Sequence, residues 1–323
     1  MNEIKTIGVL TSGGDAPGMN AAIRSVVRCG IGLGLRVMGI KKGYRGLING
    51  EIEEMTLRSV SDMLQRGGTI LQTARCKEFT TEAGVKKAAE VARIFGIDAL
   101  VVIGGDGSFR GALDMSRHGF PVIGIPATID NDIGCSEYTL GFDTALATAM
   151  EAIDKIRDTA GSHDRCNVVE VMGRNAGYIA LDVAIATGAE VVLVPEIPFD
   201  MAEDVIKPLI DARNRGKKHY IIINAEGIGN SEKIAREVEE KTGIETRATI
   251  LGHVQRGGSP SVTDRVMASH MGFHAVELLV KGEYNRVVVK KDGKITSMDI
   301  EEALATKKPL PDRGIAVAKL LSL

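Results

Sequence analysis

Residues 99–108 read ALVVIGGDGS and residues 120–132 read FPVIGIPATIDND. In each, a continuous aliphatic run stops at a polar turn. Strands buried on both faces of a parallel sheet read in this way, without the alternation of a half-solvated strand. Ala99 to Ile103 and Phe120 to Ile125 are therefore read as neighbouring strands joined by a short helical connection. Ligands of open α/β sheets sit outside the carboxyl ends of the strands. One end supplies Gly104, Gly105, Asp106, Gly107 and Ser108; the other supplies Thr128, Ile129, Asp130, Asn131 and Asp132. A glycine-lined loop with one carboxylate, facing a loop with two more, suits a metal-bound polyphosphate beside a hydroxyl to be deprotonated. The same glycines would serve a tight strand-to-helix turn capped by an aspartate, and Asp130 and Asp132 an Asx-turn network. Three glycines around one carboxylate exceed what capping requires.

Working outward, Ile7 to Leu10 reads as the first strand, followed by TSGGDAPGMN over residues 11–20. Asp15 and Pro17 are start signals for a helix from Met19 to about Gly30. A glycine pair before a helix N-terminus lets backbone N–H groups approach a phosphate. No GxxxxGK[ST] pattern is present, so this is not a Walker loop. Gly30, Gly32 and Gly34 imitate a dinucleotide fingerprint but follow a helix, and read as its exit. Further strands are expected at Val168–Val171, Val191–Val194 and Tyr220–Ile223. Leu146, Met150 and Ile153 are spaced as the core face of a helix. Strands alternating with helices throughout predict an α/β fold, doubly wound and occurring twice.

The chain has 323 residues, with 40 Lys and Arg against 42 Asp and Glu. A net charge of −2 does not argue for nucleic acid or an acidic membrane as partner. An anionic ligand must then be held by local arginines. Cys29, Cys76, Cys135 and Cys166 are scattered without a CxxC pair and read as reduced thiols. No signal peptide or membrane span is visible, and the first residues, Met1 to Lys5, lead straight into a strand; a soluble, cytoplasmic protein is expected.

Arg75, Arg165, Arg174, Arg247 and Arg256 all sit in strand-end or loop settings. Arg256 lies in HVQRGG at residues 253–258, where Gly-Gly after His, Gln and Arg suggests a second anion cradle. The guanidinium fork suits phosphate oxygens. His270 and His274 have the spacing of metal ligands on a helix, but with no carboxylate expected nearby they read as ordinary core or surface residues. Cys76 follows Arg75 and is placed near a ligand, with nothing to mark it as a nucleophile.

Together, residues 11–20, 104–108, 128–132, 172–174 and 253–260 resemble the bacterial ATP-dependent 6-phosphofructokinases in motif order and spacing, over essentially the whole chain. The resemblance implies two Rossmann-like α/β/α domains with mostly parallel sheets. It places an ATP-binding domain at 1–141 plus 254–307 and a sugar-phosphate domain at 142–253 plus 308–323. Asp130 would take the proton from the sugar 1-hydroxyl, with Gly14, Thr128 and Arg174 at the transferring phosphoryl group. Gly14, Arg75, Cys76 and Gly104 to Ser108 would hold ATP, and Asp106 and Asp132 would serve Mg²⁺. Fructose 6-phosphate would meet Thr128, Ile129, Asp130, Met172, Gly173, Arg174, Glu226, His253, Val254, Gln255 and Arg256. Arg165 and Arg247 would join them from a neighbouring subunit of a homotetramer. Arg24, Ser25, Val26, Val27, Arg28, Arg58, Arg157, Gly188, Ala189, Glu190, Arg215, Lys217, Lys218 and His219 match an effector site. There ADP or GDP activates and phosphoenolpyruvate inhibits.

Two positions depart from the family pattern. Ala127 stands where the best-known members have glycine, and Leu57 where some have arginine, with Arg58 one place later. Pyrophosphate-dependent relatives tend to carry aspartate at the place of Gly107 and lysine at that of Ala127; the small residues here leave room for ATP. Kinases with other acceptors would not need Arg165, Arg247 or the motif from His253 to Arg256. A nucleotide-sensing binding protein would not need Asp130.

Overall fold

The computed structural model describes residues 4–322; Met1, Asn2 and Glu3, part of the stretch expected to lead into the first strand, and Leu323 lie outside the described residues. The chain begins β1 (Thr6–Thr11), α1 (Met19–Gly32), β2 (Arg36–Ile40), α2 (Gly43–Asn49) and β3 (Ile52–Glu54). It continues α3 (Glu82–Ile94), β4 (Ala99–Gly104), α4 (Asp106–Arg117) and β5 (Val122–Pro126). Next come α5 (Phe142–Gly161), β6 (Cys166–Val171), α6 (Tyr178–Thr187), β7 (Val191–Leu193), α7 (Lys207–Asn214), β8 (Tyr220–Ala225), α8 (Ser231–Thr242) and β9 (Thr246–Ile250). The last elements are α9 (Val262–Lys281), β10 (Arg286–Lys291), β11 (Lys294–Asp299), α10 (Ile300–Ala305) and α11 (Asp312–Leu321).

Two compact units form, each from three stretches of chain. The first takes the chain up to Ile129, then Ile133–Thr144 and Arg256–Lys308; the second takes Asp130–Asp132, Ala145–Gln255 and the chain from Pro309. The expected α/β class, with mostly parallel sheets, holds in both.

In the first unit seven strands run in the order β11-β10-β5-β4-β1-β2-β3. Only the outer pairs, β2 with β3 and β10 with β11, are antiparallel. Leu10, Ile40, Leu100, Val102 and Phe109, each at most 1% exposed, anchor its core. Continuous aliphatic strands are what a sheet covered on both faces requires. Gly104 pairs with Pro126, so the turns after β4 and β5 emerge side by side. The helix predicted from Met19 begins there, but its start signal is different. Gly18, at φ 102°, is the capping residue with no side-chain bond, so neither Asp15 nor Pro17 starts the helix. The turn needs a left-handed residue, which glycine supplies without strain. At the other end the glycine series does mark a helix exit: Gly34 has φ 81° and the Leu35 N–H returns to the Gly30 carbonyl at 2.9 Å.

The second unit carries a fully parallel sheet ordered β7-β8-β6-β9. Cys166, Val168, Leu209, Ile222 and Val238 are completely buried in its core. The predicted core stripe of α5 is corrected here. Ile153 is buried, but Met150 is 39% exposed and Leu146 only half-buried, while Ala145 and Ala149 are at 0%. The buried face is offset by one position, and its small alanines were outweighed in the sequence by larger residues beside them.

Candidate active site

Three loops meet at the carboxyl edge of the first unit's sheet. The Ser12 N–H donates to the Ile103 carbonyl at 3.0 Å, and the Ala127 N–H to the Gly104 carbonyl at 3.0 Å, lacing the ends of β1, β4 and β5 together. Gly105 precedes α4 and offers no side-chain cap, so Asp106 stands in the first helical turn and is not the capping residue. The first-turn N–H groups of a helix lack intrahelical acceptors and suit an anion. A Cβ on Gly104 would press on the Ser108 hydroxyl and the Ser12 carbonyl, so only glycine fits. Gly107 is exposed, and a Cβ there would meet nothing within 4 Å. The buried Tyr44 hydroxyl donates to the Ser108 carbonyl at 2.6 Å and fixes the loop from behind.

Gly14 lies against Arg256, whose Nη1 donates to the Asp15 carbonyl at 3.4 Å; any Cβ on Gly14 would collide with that guanidinium. The arginine thus reaches the glycine loop after β1 from the far end of the sequence. Asn20, buried in α1, donates to the Arg66 and Gly67 carbonyls and accepts from the Ile70 N–H, holding the segment that leads to exposed Arg75 and half-buried Cys76. After β5, Ala127 and Ile129 are buried and the Thr128 carbonyl accepts from the Thr139 hydroxyl at 2.6 Å.

The second unit holds the remaining carboxylate chemistry. Asp130 is 2% exposed, and Arg174 Nε lies 3.5 Å from its Oδ2. Arg174 is in the left-handed region at φ 54°, next to Gly173 at φ 140°. Such backbone costs about 1–2 kcal/mol for a residue with a Cβ. Glu226 sustains it: Oε1 accepts from the Gly173 N–H at 3.2 Å and the Arg174 N–H at 2.5 Å. Gln255 is completely buried, accepting from the Met172 N–H at 3.4 Å and donating to the Gly252 carbonyl at 3.2 Å. Its amide braces the loop of Met172 from inside, whereas His253 and Val254 are exposed. Asp132 is also exposed.

Arg165 and Arg247 converge on one carboxylate, Glu245, at 2.8 and 3.0 Å. Hydrogen bonds from Arg165 and then Arg247 hold the Glu245 carboxyl below its ordinary range. Arg247 is the second residue of β9, at the strand-end side of the strand-end or loop setting expected for it. β9 is an edge strand, paired only with β6, and of its five residues only Thr246 is buried.

The predicted effector residues divide between the units. In the first, Arg24 is half-buried and Arg28 and Arg58 are exposed, while Val26 and Val27 are fully in the core and the Ser25 hydroxyl is spent on the Ser269 carbonyl at 2.6 Å. In the second, buried Glu190 pairs with Lys217 and accepts from the Ile221 N–H at 2.5 Å. Arg157 donates to the Thr187 carbonyl at 2.5 Å, just before Gly188 and buried Ala189. Arg215, Lys218 and His219 lie on the α7–β8 connection. Glu190 and Arg215 also line a cleft of about 300 Å³ with Asp211 and Lys319.

Among the described residues no three His, Cys, Asp or Glu side chains gather as a metal cage. Magnesium commonly needs none, because one or two carboxylates with substrate phosphates suffice; Asp106 and Asp132 offer that donor chemistry. His274 Nδ1 lies 3.4 Å from Glu277, which corrects the expectation of no nearby carboxylate, but no metal site forms there. No helix among the described residues is long and apolar enough to cross a membrane.

The phosphofructokinase family model matches residues 6–279. The chain belongs to the phosphofructokinase family. It is 56% identical over 319 residues to the ATP-dependent 6-phosphofructokinase of Clostridium botulinum strain Hall, covering 99% of this chain and 100% of that protein. The enzyme of the same name from Alkaliphilus metalliredigens is 55% identical over 320 residues, with the same coverage. The solved phosphofructokinase of Saccharomyces cerevisiae superposes with a TM-score of 0.87 at 35% identity, over 93% of this chain. The chain spans 45% of that yeast chain's length. Membership makes it a kinase, as the strand-end loops implied.

Sequence reasoning missed Glu245, Tyr44 and Asp264, and gave Asn20, quoted at the end of the motif over residues 11–20, no role of its own. Only Asp264 left a signal, the Ser261-x-x-Asp264 spacing of a helix start, where Ser261 Oγ indeed accepts from the Asp264 N–H at 3.2 Å.

Proposed function

We propose that the chain is an ATP-dependent 6-phosphofructokinase that transfers the γ-phosphoryl group of ATP to the 1-hydroxyl of fructose 6-phosphate. The observation that carries the reading is the buried Asp130 carboxylate beside the Arg174 guanidinium. A binding protein has no use for a buried base, and a guanidinium held there by Glu226 suits a phosphate that arrives and accumulates charge. In this reading Asp130 takes the hydroxyl proton while the sugar oxygen bonds to the γ-phosphorus. The bond from phosphorus to the β–γ bridging oxygen breaks, and ADP leaves with that electron pair. The transition state is loose, so positioning and charge neutralisation do most of the work. Gly14 offers an N–H and Thr128 a hydroxyl to the moving group, and Arg174 meets its charge.

We assign ATP to the first unit, along Gly104 to Ser108 with Arg75 and Cys76, and the sugar phosphate chiefly to the second. Arg165, Arg247, His253 and Arg256 bind the 6-phosphate, the first two serving a neighbouring subunit of a homotetramer. Glu226 accepts from sugar hydroxyls. Asp106 and Asp132 hold Mg²⁺, which when bound offsets charge on the phosphate oxygens. The open space around Gly107 supports ATP over pyrophosphate. ADP or GDP activates and phosphoenolpyruvate inhibits at the set of Arg24, Arg28, Arg58, Arg157, Glu190, Arg215, Lys217, Lys218 and His219. The protein works in the cytoplasm.

The test is an initial-rate assay with fructose 6-phosphate and Mg²⁺, run in parallel with ATP and pyrophosphate, with and without ADP. Turnover with ATP, and a sigmoidal sugar curve straightened by ADP, is expected. Turnover only with pyrophosphate would overturn the donor assignment; none with either would overturn the substrate.

A further inference from the structure

Asp264 is fully buried in the first turn of α9, and its partners are all neutral. Its Oδ1 accepts from the Tyr138 hydroxyl at 2.6 Å and the Gly141 N–H at 2.7 Å. Its Oδ2 accepts from the Thr144 N–H at 3.0 Å and the Thr144 hydroxyl at 2.5 Å. A carboxylate deprived of water and offered no cation is costly to keep, and removing any one donor leaves part of that cost exposed. Capping α9 does not demand it, because Ser261 already performs that task.

Every donor to Asp264 comes from the seven residues Tyr138 to Thr144, and this stretch grips the loop after β5. The Thr139 hydroxyl donates to the Thr128 carbonyl at 2.6 Å, and the Leu140 N–H to the Pro126 carbonyl at 3.0 Å. Leu140 also forms a bridge with Ala127. A second tie repeats the connection to α9: Ser261 Oγ donates to Asp143 at 2.5 Å, and the Ser261 N–H donates to the Thr144 hydroxyl at 2.9 Å. The carboxylate therefore fastens α9 to the segment that sets the position of Thr128, two residues before Asp130.

We infer that Asp264 is a positioning residue for phosphoryl transfer, holding the loop of Thr128 and Asp130 in register through Tyr138, Gly141 and Thr144. It touches no ligand, being fully buried. This rests on the proposed kinase reading. Asparagine cannot replace it: whichever way the amide turns, its NH₂ faces a backbone N–H, of Gly141 or of Thr144.

The test uses the full-length protein and initial rates with ATP and fructose 6-phosphate, alongside melting curves. Asp264→Asn should lower kcat by about 10–100-fold, the scale of a small misplacement of reacting groups, with the KM for ATP kept within about twofold. Tyr138→Phe and Thr144→Val, which each remove one hydroxyl, should lower kcat by roughly threefold or more, and Thr144→Ser should restore it. Thr242→Ala, which removes a buried helix hydroxyl bonded to the Val238 carbonyl, should lower the melting temperature without this loss in kcat. If folded Asp264→Asn retains wild-type kcat, the inference is wrong. If Asp264→Asn does not fold, unchanged kcat in Tyr138→Phe and Thr144→Val overturns it equally. An inactive wild type instead removes the kinase reading, and with it the step that Asp264 is said to position.

Discussion

Asp130 and Cys135 lie five places apart, both buried, with charged neighbours of opposite sign. Asp130 must be charged to accept a proton, and the Arg174 guanidinium lies 3.5 Å from it. Asp130→Ala should lower kcat by about 10²–10⁴-fold with ATP binding retained, as measured by single-turnover rates and nucleotide titration. Wild-type turnover would remove it as the base. Cys135 has the opposite setting. Burial, and secondarily the negative charge of Asp106, push its thiol up to about 11. The protonated thiol is favoured by the fold, so its contribution is present below the unfolded thiol value and lost as pH rises through about 11. Each pKa unit corresponds to about 1.4 kcal/mol, so the loss is on the order of 2–3 kcal/mol. Denaturant midpoints taken across that alkaline range should fall for wild type and less steeply for Cys135→Ala; parallel curves would contradict the assignment.

At the scale of elements, the buried parallel strands were legible, as was the aliphatic edge strand β7, while the remaining outer strands were not. β4, β5, β6 and β8 are aliphatic runs because water reaches neither face. β2, β3, β9, β10 and β11 lie on or near an edge, and their short runs, mixed with charged or polar residues, resemble loops. Arg247 shows the same ambiguity, since strand end and loop could not be told apart for it. Its guanidinium is 62% exposed on β9, so Arg247→Ala should leave stability within about 0.5 kcal/mol by urea denaturation. The KM for fructose 6-phosphate should rise by about tenfold or more with the ATP KM unchanged, since a charged hydrogen bond is worth about 1.5–3 kcal/mol. An unchanged sugar KM would return Arg247 to a surface role. Of the candidate site, the glycine loops and aspartates were legible, because strand ends advertise themselves by abrupt changes of composition. The supports were not. Asn20, Tyr44, Glu245 and Asp264 act on segments that lie far off in sequence, and no local pattern records such a partner.

Considering the molecule as a whole, the proposed effector site and fold stability share residues. Lys217 pairs with buried Glu190, so Lys217→Ala removes a structural partner along with the proposed effector contact. It should cost about 1–3 kcal/mol, less than a fully buried pair because Lys217 is 34% exposed. Arg24→Ala is the cleaner probe: activation by ADP should disappear while basal turnover and melting temperature hold. Persistent activation would remove Arg24 from the effector site. The order of strands carries a further consequence, for synthesis on the ribosome. β5 acquires its neighbour β10 only after the whole second sheet has been made. At about 5–20 residues per second, the stretch from Pro126 to Arg286 takes roughly ten to thirty seconds to appear. Throughout that interval one side of β5 is an unpaired, aliphatic strand edge, the kind of surface on which nascent chains aggregate. Chains stalled before β10 should therefore be the form of this protein most in need of a chaperone.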